Sequence, residues 1–260
     1  MMQTRRVIDY IIDWMRRYAA DAGVNGFVVG ISGGIDSAVT STLCAETGFS
    51  VIALNLPIRQ AENQKSLAES HVSRLQENYE NVTGYTTDLT GVLEAFETDL
   101  PADIQDGLTM ANTRARIRMT ALYAFATHHG MLVAGTGNKV EDFGVGFFTK
   151  YGDGGVDISP IADLMKSEVY EVARNLGIMD EIIEIPPTDG LWPDSRTDEE
   201  QIGTSYADLE WAMRFEEQGG DEDSLTRRQK KVLEIYRRLN RKNRHKMEPI
   251  PMPVIPGEFK

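Results

Sequence analysis

Residues 26–37 read Gly-Phe-Val-Val-Gly-Ile-Ser-Gly-Gly-Ile-Asp-Ser, and this stretch decides the architecture. Phe27 to Val29 form a β-branched and aromatic run of the kind found in a buried strand, Gly33-Gly34 interrupts it, and residues 38–48 continue in a helical composition. Strand, glycine turn and helix make one unit. On the N-terminal side, Val7, Ile8, Ile11, Ile12, Met15 and Ala19 recur at three- and four-residue steps, which predicts an amphipathic helix. On the other side, Ser50 to Leu56 repeats the strand pattern and Pro57 closes it; residues 62–78 then read as a helix with Leu67, Val72 and Leu75 inward. A weaker strand is expected near Val82 to Leu89, a long helix from about Thr109 to His129, and a fourth strand in MLVAGTG, 131–137. Strands alternating with helices of this length imply a doubly wound α/β fold, a parallel sheet with helices on both faces and right-handed crossovers.

Beyond Gly137 the texture changes. EDFGVGFFTKYGDGGVD, 141–157, is too rich in glycine for a regular helix or a packed strand and reads as a site loop. SPIADLMKSEVYEVARNLG, 159–177, reads as an amphipathic helix stopped by Gly177. Ile185 to Ser205 carries three prolines, acidic clusters and little apolar periodicity, so it is expected to be mobile until a ligand binds, with Leu191 to Ser205 ordering over the site. A basic helix over 226–246 and a proline-punctuated tail finish the chain.

Composition narrows the function. Forty acidic residues against 27 lysines and arginines give a formal net charge of −13, which repels nucleic-acid backbones unless basic residues cluster locally. The single cysteine, Cys44, excludes an internal disulfide and any paired-thiol zinc or redox site. No apolar run approaches the roughly 18 residues a membrane span needs, and the amphipathic N-terminus has no separate apolar signal core. These features suit a cytoplasmic protein that binds neither nucleic acid nor membrane.

The turn itself points to chemistry. Paired glycines let backbone amides approach an anion closely, and the following helix N-terminus adds roughly half a positive charge. Ser32 and Ser37 supply hydroxyls. Asp36 would repel a bare phosphate, so its presence in such a cradle implies a divalent cation between them, held by hard oxygen ligands as magnesium prefers. Glycine turns capped by Asp or Ser also occur with no ligand. The chain has no Gly-x-x-x-x-Gly-Lys-[Ser/Thr] and no complete Gly-x-Gly-x-x-Gly, which sets aside kinase-like and dehydrogenase readings.

SGGIDS, 32–37, resembles the pyrophosphate-binding loop of the ATP pyrophosphatase group of adenylating enzymes, which cleave ATP between its α- and β-phosphates. GTGNKVED (135–142), GFFTKYGDGGVDISPIADLMKSEV (146–169), PPTDGLW (186–192) and RHK (244–246) make the chain similar to the NAD synthetases along nearly its whole length. The resemblance implies one synthetase domain over 1–260, homodimerisation, and ATP-dependent amidation of nicotinic acid adenine dinucleotide (deamido-NAD) to NAD, the last step of NAD biosynthesis. Glutamine-dependent members carry an N-terminal amidase domain; here the synthetase motif starts about thirty residues in, so free ammonia is the expected nitrogen donor unless a separate glutaminase subunit delivers it.

By the same resemblance Gly30, Ile31, Ser32, Gly33, Gly34, Ile35, Asp36 and Ser37 hold the ATP phosphates, with Thr136, Lys166 and Thr188 as further ATP contacts. Asp36 and Glu141 are the implied magnesium ligands, and Asp36, Lys166 and Glu141 the implied catalytic set. Arg116, Lys150, Asp157, His245 and Lys246 are the implied deamido-NAD contacts. Local pattern alone would place Arg114, Arg116 and Arg118 on a solvated helix face. At DFGV, 142–145, the chain is about one residue longer than some ammonia-dependent members. Two other readings of the loop are another amidating or thiolating ATP pyrophosphatase and a non-catalytic adenine-nucleotide sensor; the lack of paired cysteines and of a broad basic surface disfavours the first, and retention of Asp36, Glu141 and Lys166 disfavours the second.

Overall fold

The computed structural model describes residues 2–60, 62–188 and 196–260. In chain order the elements are α1 (Thr4–Ala22), β1 (Gly26–Gly30), α2 (Ile35–Glu46), β2 (Ser50–Asn55), α3 (Glu62–Asn78), β3 (Val82–Thr86), α4 (Thr90–Asp99), α5 (Gly107–His129) and β4 (Leu132–Val133). After β4 come a π-helical turn over Val140–Val145, then α6 (Lys166–Leu176), α7 (Asp180–Ile183), α8 (Asp198–Ile202), α9 (Tyr206–Gln218) and α10 (Arg227–Met247). All pairings within the sheet are parallel and the strand order is β3-β2-β1-β4.

This order follows from the strand sequences. Consecutive side chains of β1 point to opposite faces, and both faces are apolar. Phe27 and Val29, with Val51 and Ala53 of β2, enter a core with Ile8, Ile12 and Met15 of α1, Val39 and Leu43 of α2, and Val169 and Val172 of α6. Val28, Ile52, Leu54 and Val133 face the other way, onto Ala126 and Leu122 of α5. Helices cover both faces, so the sheet is doubly wound as expected. The chain leaves β1 in one direction to build β2 and β3, then returns past β1 to β4, and the reversal opens a crevice at the carboxyl ends of β1 and β4.

Several elements differ from the sequence reading. The fourth strand keeps only Leu132–Val133, continued by a single bridge from Ala134 to Ile158, because the chain after Val133 diverges into the crevice. The helix expected from Ser159 starts at Lys166; before it, tight turns with Ala162 N–H on Ser159 O and Leu164 N–H on Ile161 O bury Ile161 and Leu164 without a helix. Pro160 lies within these turns, and proline cannot donate the backbone bond a helix interior needs. The glycine-rich segment does wind, as a π-helical turn ended by Gly146 at φ 64°. A π turn takes up one more residue than an α turn. Of the segment expected to be mobile, residues 189–195 lie outside the described residues, while Asp198–Ile202 is helical, capped by Thr197. Helices α4, α7 and α9 have no counterpart in the sequence reading.

A buried histidine gives the core a pH-dependent element. His71 of α3 lies against α2 with Nε2 2.9 Å from Ser41 Oγ. Burial, reinforced by Arg74, pushes its pKa down to about 4. The folded value is below the unfolded value near 6.5, so this group's contribution is complete above pH 6.5 and is lost as pH falls toward 4. Its full extent is about 3 kcal/mol. Urea melts of the parent and of His71→Gln from pH 7.5 to 4.5 should show a steeper decline for the parent; parallel curves would contradict the assignment.

Candidate active site

The turn after β1 is built by its own residues. Ile31 N–H donates to Leu54 O of β2 at 2.8 Å, which holds the chain to the sheet one residue past the strand. Gly33 adopts φ 87°, a conformation that side-chain-bearing residues rarely take. Ser37 Oγ donates to Gly34 O at 2.9 Å and accepts from Ser32 N–H at 3.2 Å, while Gly34 N–H donates to Ser32 Oγ at 3.2 Å. The buried Ser37 hydroxyl therefore shapes the loop, and Ser32 is the exposed one. The amides that begin α2 open onto the crevice edge of the sheet, where the helix dipole favours an anion.

Behind this turn three charged side chains from three elements meet. Lys166 Nζ is 2.5 Å from Asp36 Oδ2 and 3.0 Å from Glu141 Oε1. The side chain of Lys166 is 3% exposed, that of Asp36 17% and that of Glu141 15%. Asp36 and Lys166 stand in the first turns of α2 and α6, and Glu141 in the π turn. The N-terminus of α6 is fixed by Glu210 of α9, whose carboxylate accepts from Ser167 N–H at 2.8 Å and from its hydroxyl at 2.7 Å. Asn138, fully buried, ties two of the pieces together. Its Oδ1 accepts from the N–H groups of Val140 and Glu141, each at 3.1 Å, and its Nδ2 donates to Asp36 Oδ1 at 3.1 Å.

The charges do not balance. One ammonium serves two carboxylates. Burial disfavours the charged lysine, yet Asp36 and Glu141 outweigh it and hold Lys166 above its ordinary range. Burial raises Asp36 overall despite Lys166; in Glu141 the same penalty is overcome by Lys166 and by the Tyr206 hydroxyl, so its pKa lies below the usual carboxylate range. The neighbouring Asp142 is pushed up to about 8, by burial first and then by Glu141, Asp153 and Asp36. With one ammonium between two carboxylates, the centre has room for added positive charge. Asp36 and Glu141 are hard oxygen donors converging on one locus, and this donor set fits a divalent cation of the magnesium type. Among the described residues no group of three or more His, Cys, Asp or Glu side chains is arranged to hold a metal, so further ligands would come from phosphate oxygens or water.

A second constellation lies along α5, the glycine-rich loop and the end of α10. Arg116, exposed on α5, reaches Lys150 O at 3.4 Å. Lys150 Nζ donates to His245 O at 2.5 Å, and Lys246 Nζ donates to Gly146 O and Phe148 O at 2.8 and 2.7 Å. Three of the five expected dinucleotide residues, Arg116, Lys150 and His245, are therefore joined by direct contacts, and Lys246, next to His245 in the chain, holds the glycine-rich loop. Asp157 is tied elsewhere: its carboxylate accepts from Tyr123 OH at 3.0 Å and from Val133 N–H at 2.8 Å, at the end of β4. The loop is tightly held. A Cβ at Gly154 would meet the Phe148 ring at 2.4 Å, and one at Gly146 would meet Asn243 Cβ at 2.5 Å. Thr136 stands just past β4, and Thr188 donates to Arg196 O at 3.0 Å, across residues 189–195. Arg118 serves the fold instead, donating to Leu56 O at 2.9 Å.

Sequence reading passed over Asn138, Glu210 and Tyr206. Asn138, ahead of the acidic turn, carries the local signal of a side chain that caps nearby backbone amides. Tyr206 carries none, because it meets Glu141 from 65 residues away.

A doubly wound parallel sheet with a glycine-serine turn at its switch point and a lysine-bridged carboxylate pair behind that turn defines a nucleotide-binding α/β protein. The NAD synthase family profile matches residues 7–250, and the chain belongs to that family. It is 37% identical over 261 residues to the NH(3)-dependent NAD(+) synthetase of Methanosarcina acetivorans, covering 98% of this chain and all of the relative. Among solved structures it is similar to NH3-dependent NAD synthetase from Campylobacter jejuni in complex with the nitrate ion, at TM-score 0.79 and 25% identity, covering 98% and 99% of the two chains. It is also similar to NMN synthetase from Francisella tularensis, at TM-score 0.84 and 29% identity, covering 99% and 100%.

Proposed function

We propose that this protein is an ammonia-dependent ligase that converts deamido-NAD to NAD while splitting ATP to AMP and pyrophosphate. The observation that carries the reading is the Asp36–Lys166–Glu141 centre directly behind the Ser32–Ser37 turn. A carboxylate is a poor acceptor for ammonia because its oxygen leaves badly. Its oxygen therefore first attacks the α-phosphorus of ATP, the bond to the β-phosphate oxygen breaks, and pyrophosphate departs. Ammonia then adds to the carbonyl carbon, loses a proton, and AMP leaves with the oxygen that joined it to the acyl group.

The chain's residues position and neutralise in these steps. The amides of residues 32–36 receive the departing phosphates, and Lys166 places an obligate positive charge beside them. Asp36 and Glu141 would hold magnesium, which when bound offsets the phosphate charge that those carboxylates would otherwise repel. Arg116, Lys150, His245 and Lys246 form the proposed dinucleotide contacts, with Asp157 at the edge of β4; Thr136 and Thr188 complete the proposed ATP contacts. We read residues 1–260 as one synthetase domain acting as a homodimer in the cytoplasm. The buried free Cys44 agrees with a reducing compartment, and no helix among the described residues is long and apolar enough to cross a membrane.

The likeness to an NMN synthetase favours one second reading, in which nicotinic acid mononucleotide is the acid substrate. Incubation with ATP, magnesium, ammonium and either acid distinguishes the two. The expected result is NAD, AMP and pyrophosphate in equal amounts from deamido-NAD and much slower turnover of the mononucleotide. Preference for the mononucleotide would transfer the assignment to it, and no pyrophosphate from either would reject both. Lys150→Ala should raise the deamido-NAD KM about tenfold, the scale of one charge-assisted hydrogen bond, and leave the ATP KM within about twofold. Equal increases in both would refute the division of the site.

A further inference from the structure

Asp36 and Lys166 stand at the starts of α-helices; Asp36 is held by Asn138 and by the Lys166 ammonium. Glu141 sits on a π turn and has one more side-chain torsion than Asp36, so its direction depends on what surrounds it. Besides Lys166, those surroundings are supplied by Tyr206. Its hydroxyl donates to Glu141 Oε1 at 2.5 Å and lies 3.3 Å from Asp198 Oδ2, and its ring lies under Lys166 Nζ, 4.8 Å from the ring centre. Tyr206 is 7% exposed and packs with Val140 and Val145, the ends of the turn that bears Glu141. The backbone of Tyr206 is held in turn, its N–H donating to Glu199 Oε1 of α8 at 2.8 Å. One side chain therefore touches both the flexible carboxylate and the ammonium of the centre.

We propose that Tyr206 is a positioning residue for the cation site: its hydroxyl and ring set Glu141 and Lys166 in advance, so that Glu141 meets the nucleotide-bound cation without first losing rotamer freedom. The inference rests on the reading of Asp36 and Glu141 as cation ligands. Preorganisation of this kind acts on cation affinity, because the ordering cost is otherwise met at the moment of binding. A single hydroxyl proton serves one acceptor at a time, and the shorter distance assigns it to Glu141 rather than Asp198.

The test uses the full chain, manganese as the cation probe, and an ATP analogue with a methylene bridge between its α- and β-phosphorus, so that binding is read without turnover. Free manganese is followed by electron paramagnetic resonance. Tyr206→Phe should weaken manganese binding about tenfold, melt within a few degrees of the parent, and keep the deamido-NAD KM within about twofold. Its kcat should be low at limiting magnesium and recover most of the way at saturating magnesium, which a general packing defect would not produce. In a Glu141→Gln background the same substitution should weaken manganese binding no further. Parental manganese affinity in Tyr206→Phe, or full additivity with Glu141→Gln, would overturn the role of Tyr206 alone. Failure of the parent to bind manganese with the analogue would overturn the underlying reading of the carboxylates.

Discussion

Lys166→Met is expected to lower kcat/KM by about 100- to 1000-fold, the scale seen when a preorganised charge at the reacting centre is removed, and to destabilise the unliganded protein by about 3–5 kcal/mol. The two effects share a cause. Lys166 is the cation between two largely buried carboxylates, and removing one partner of such a pair leaves the other charges uncompensated. Methionine keeps most of the volume and the unbranched stem, so the loss measures charge rather than a cavity. Magnesium with ATP should restore part of the melting temperature, since it returns positive charge to the same locus. Melting that matches the parent without ligand would show that the Asp36–Lys166–Glu141 contacts do not operate in solution.

Asp36→Asn has the opposite profile: at least about 100-fold lower activity with a fold as stable as the parent's. Asp36 has its pKa raised in the folded chain, principally by burial. A carboxylate with a folded value above its unfolded value opposes folding when ionised, so neutralising it does not destabilise the protein at neutral pH. The asparagine is isosteric, and its single amide oxygen can accept from Lys166 or from Asn138, while Lys166 keeps its bond to Glu141. Activity within a few fold of the parent would remove Asp36 from the cation site; a large drop in melting temperature would show that its role is structural.

The parts that were legible in the sequence are those whose determinants are local. The β1 turn and α2 could be read because a buried strand, two glycines and a helix start lie within twelve consecutive residues. α3 was placed at Glu62–Asn78 by its apolar spacing alone, and Gly177 ends α6 in the left-handed conformation as glycine permits. The segment before α6 reads as helix because Ile161, Leu164 and Met165 keep a helix-like spacing, whereas tight turns bury them. α9 had a readable signal, Tyr206, Leu209 and Met213 at three- and four-residue steps, all buried.

The candidate site divides along the same line. Asp36 is visible beside its turn, whereas Glu141 and Lys166 were matched only by family resemblance, since a glutamate in a loop and a lysine on an amphipathic helix ordinarily face solvent. The structure brings these three within hydrogen-bonding distance across 25 to 130 residues of chain. Tyr206 and Glu210 could not be read locally, because each acts on a residue far away in sequence through a packing arrangement that only the folded chain creates.

The direct test of the chemistry assigned to this centre follows an oxygen atom. Deamido-NAD labelled with oxygen-18 in its nicotinate carboxylate is turned over with ATP, magnesium and ammonium, and the products are weighed by mass spectrometry. One labelled oxygen is expected in each AMP and none in pyrophosphate, because the acid attacks the α-phosphorus and its oxygen leaves with AMP. Unlabelled AMP, or label appearing in orthophosphate alongside ADP, would contradict it.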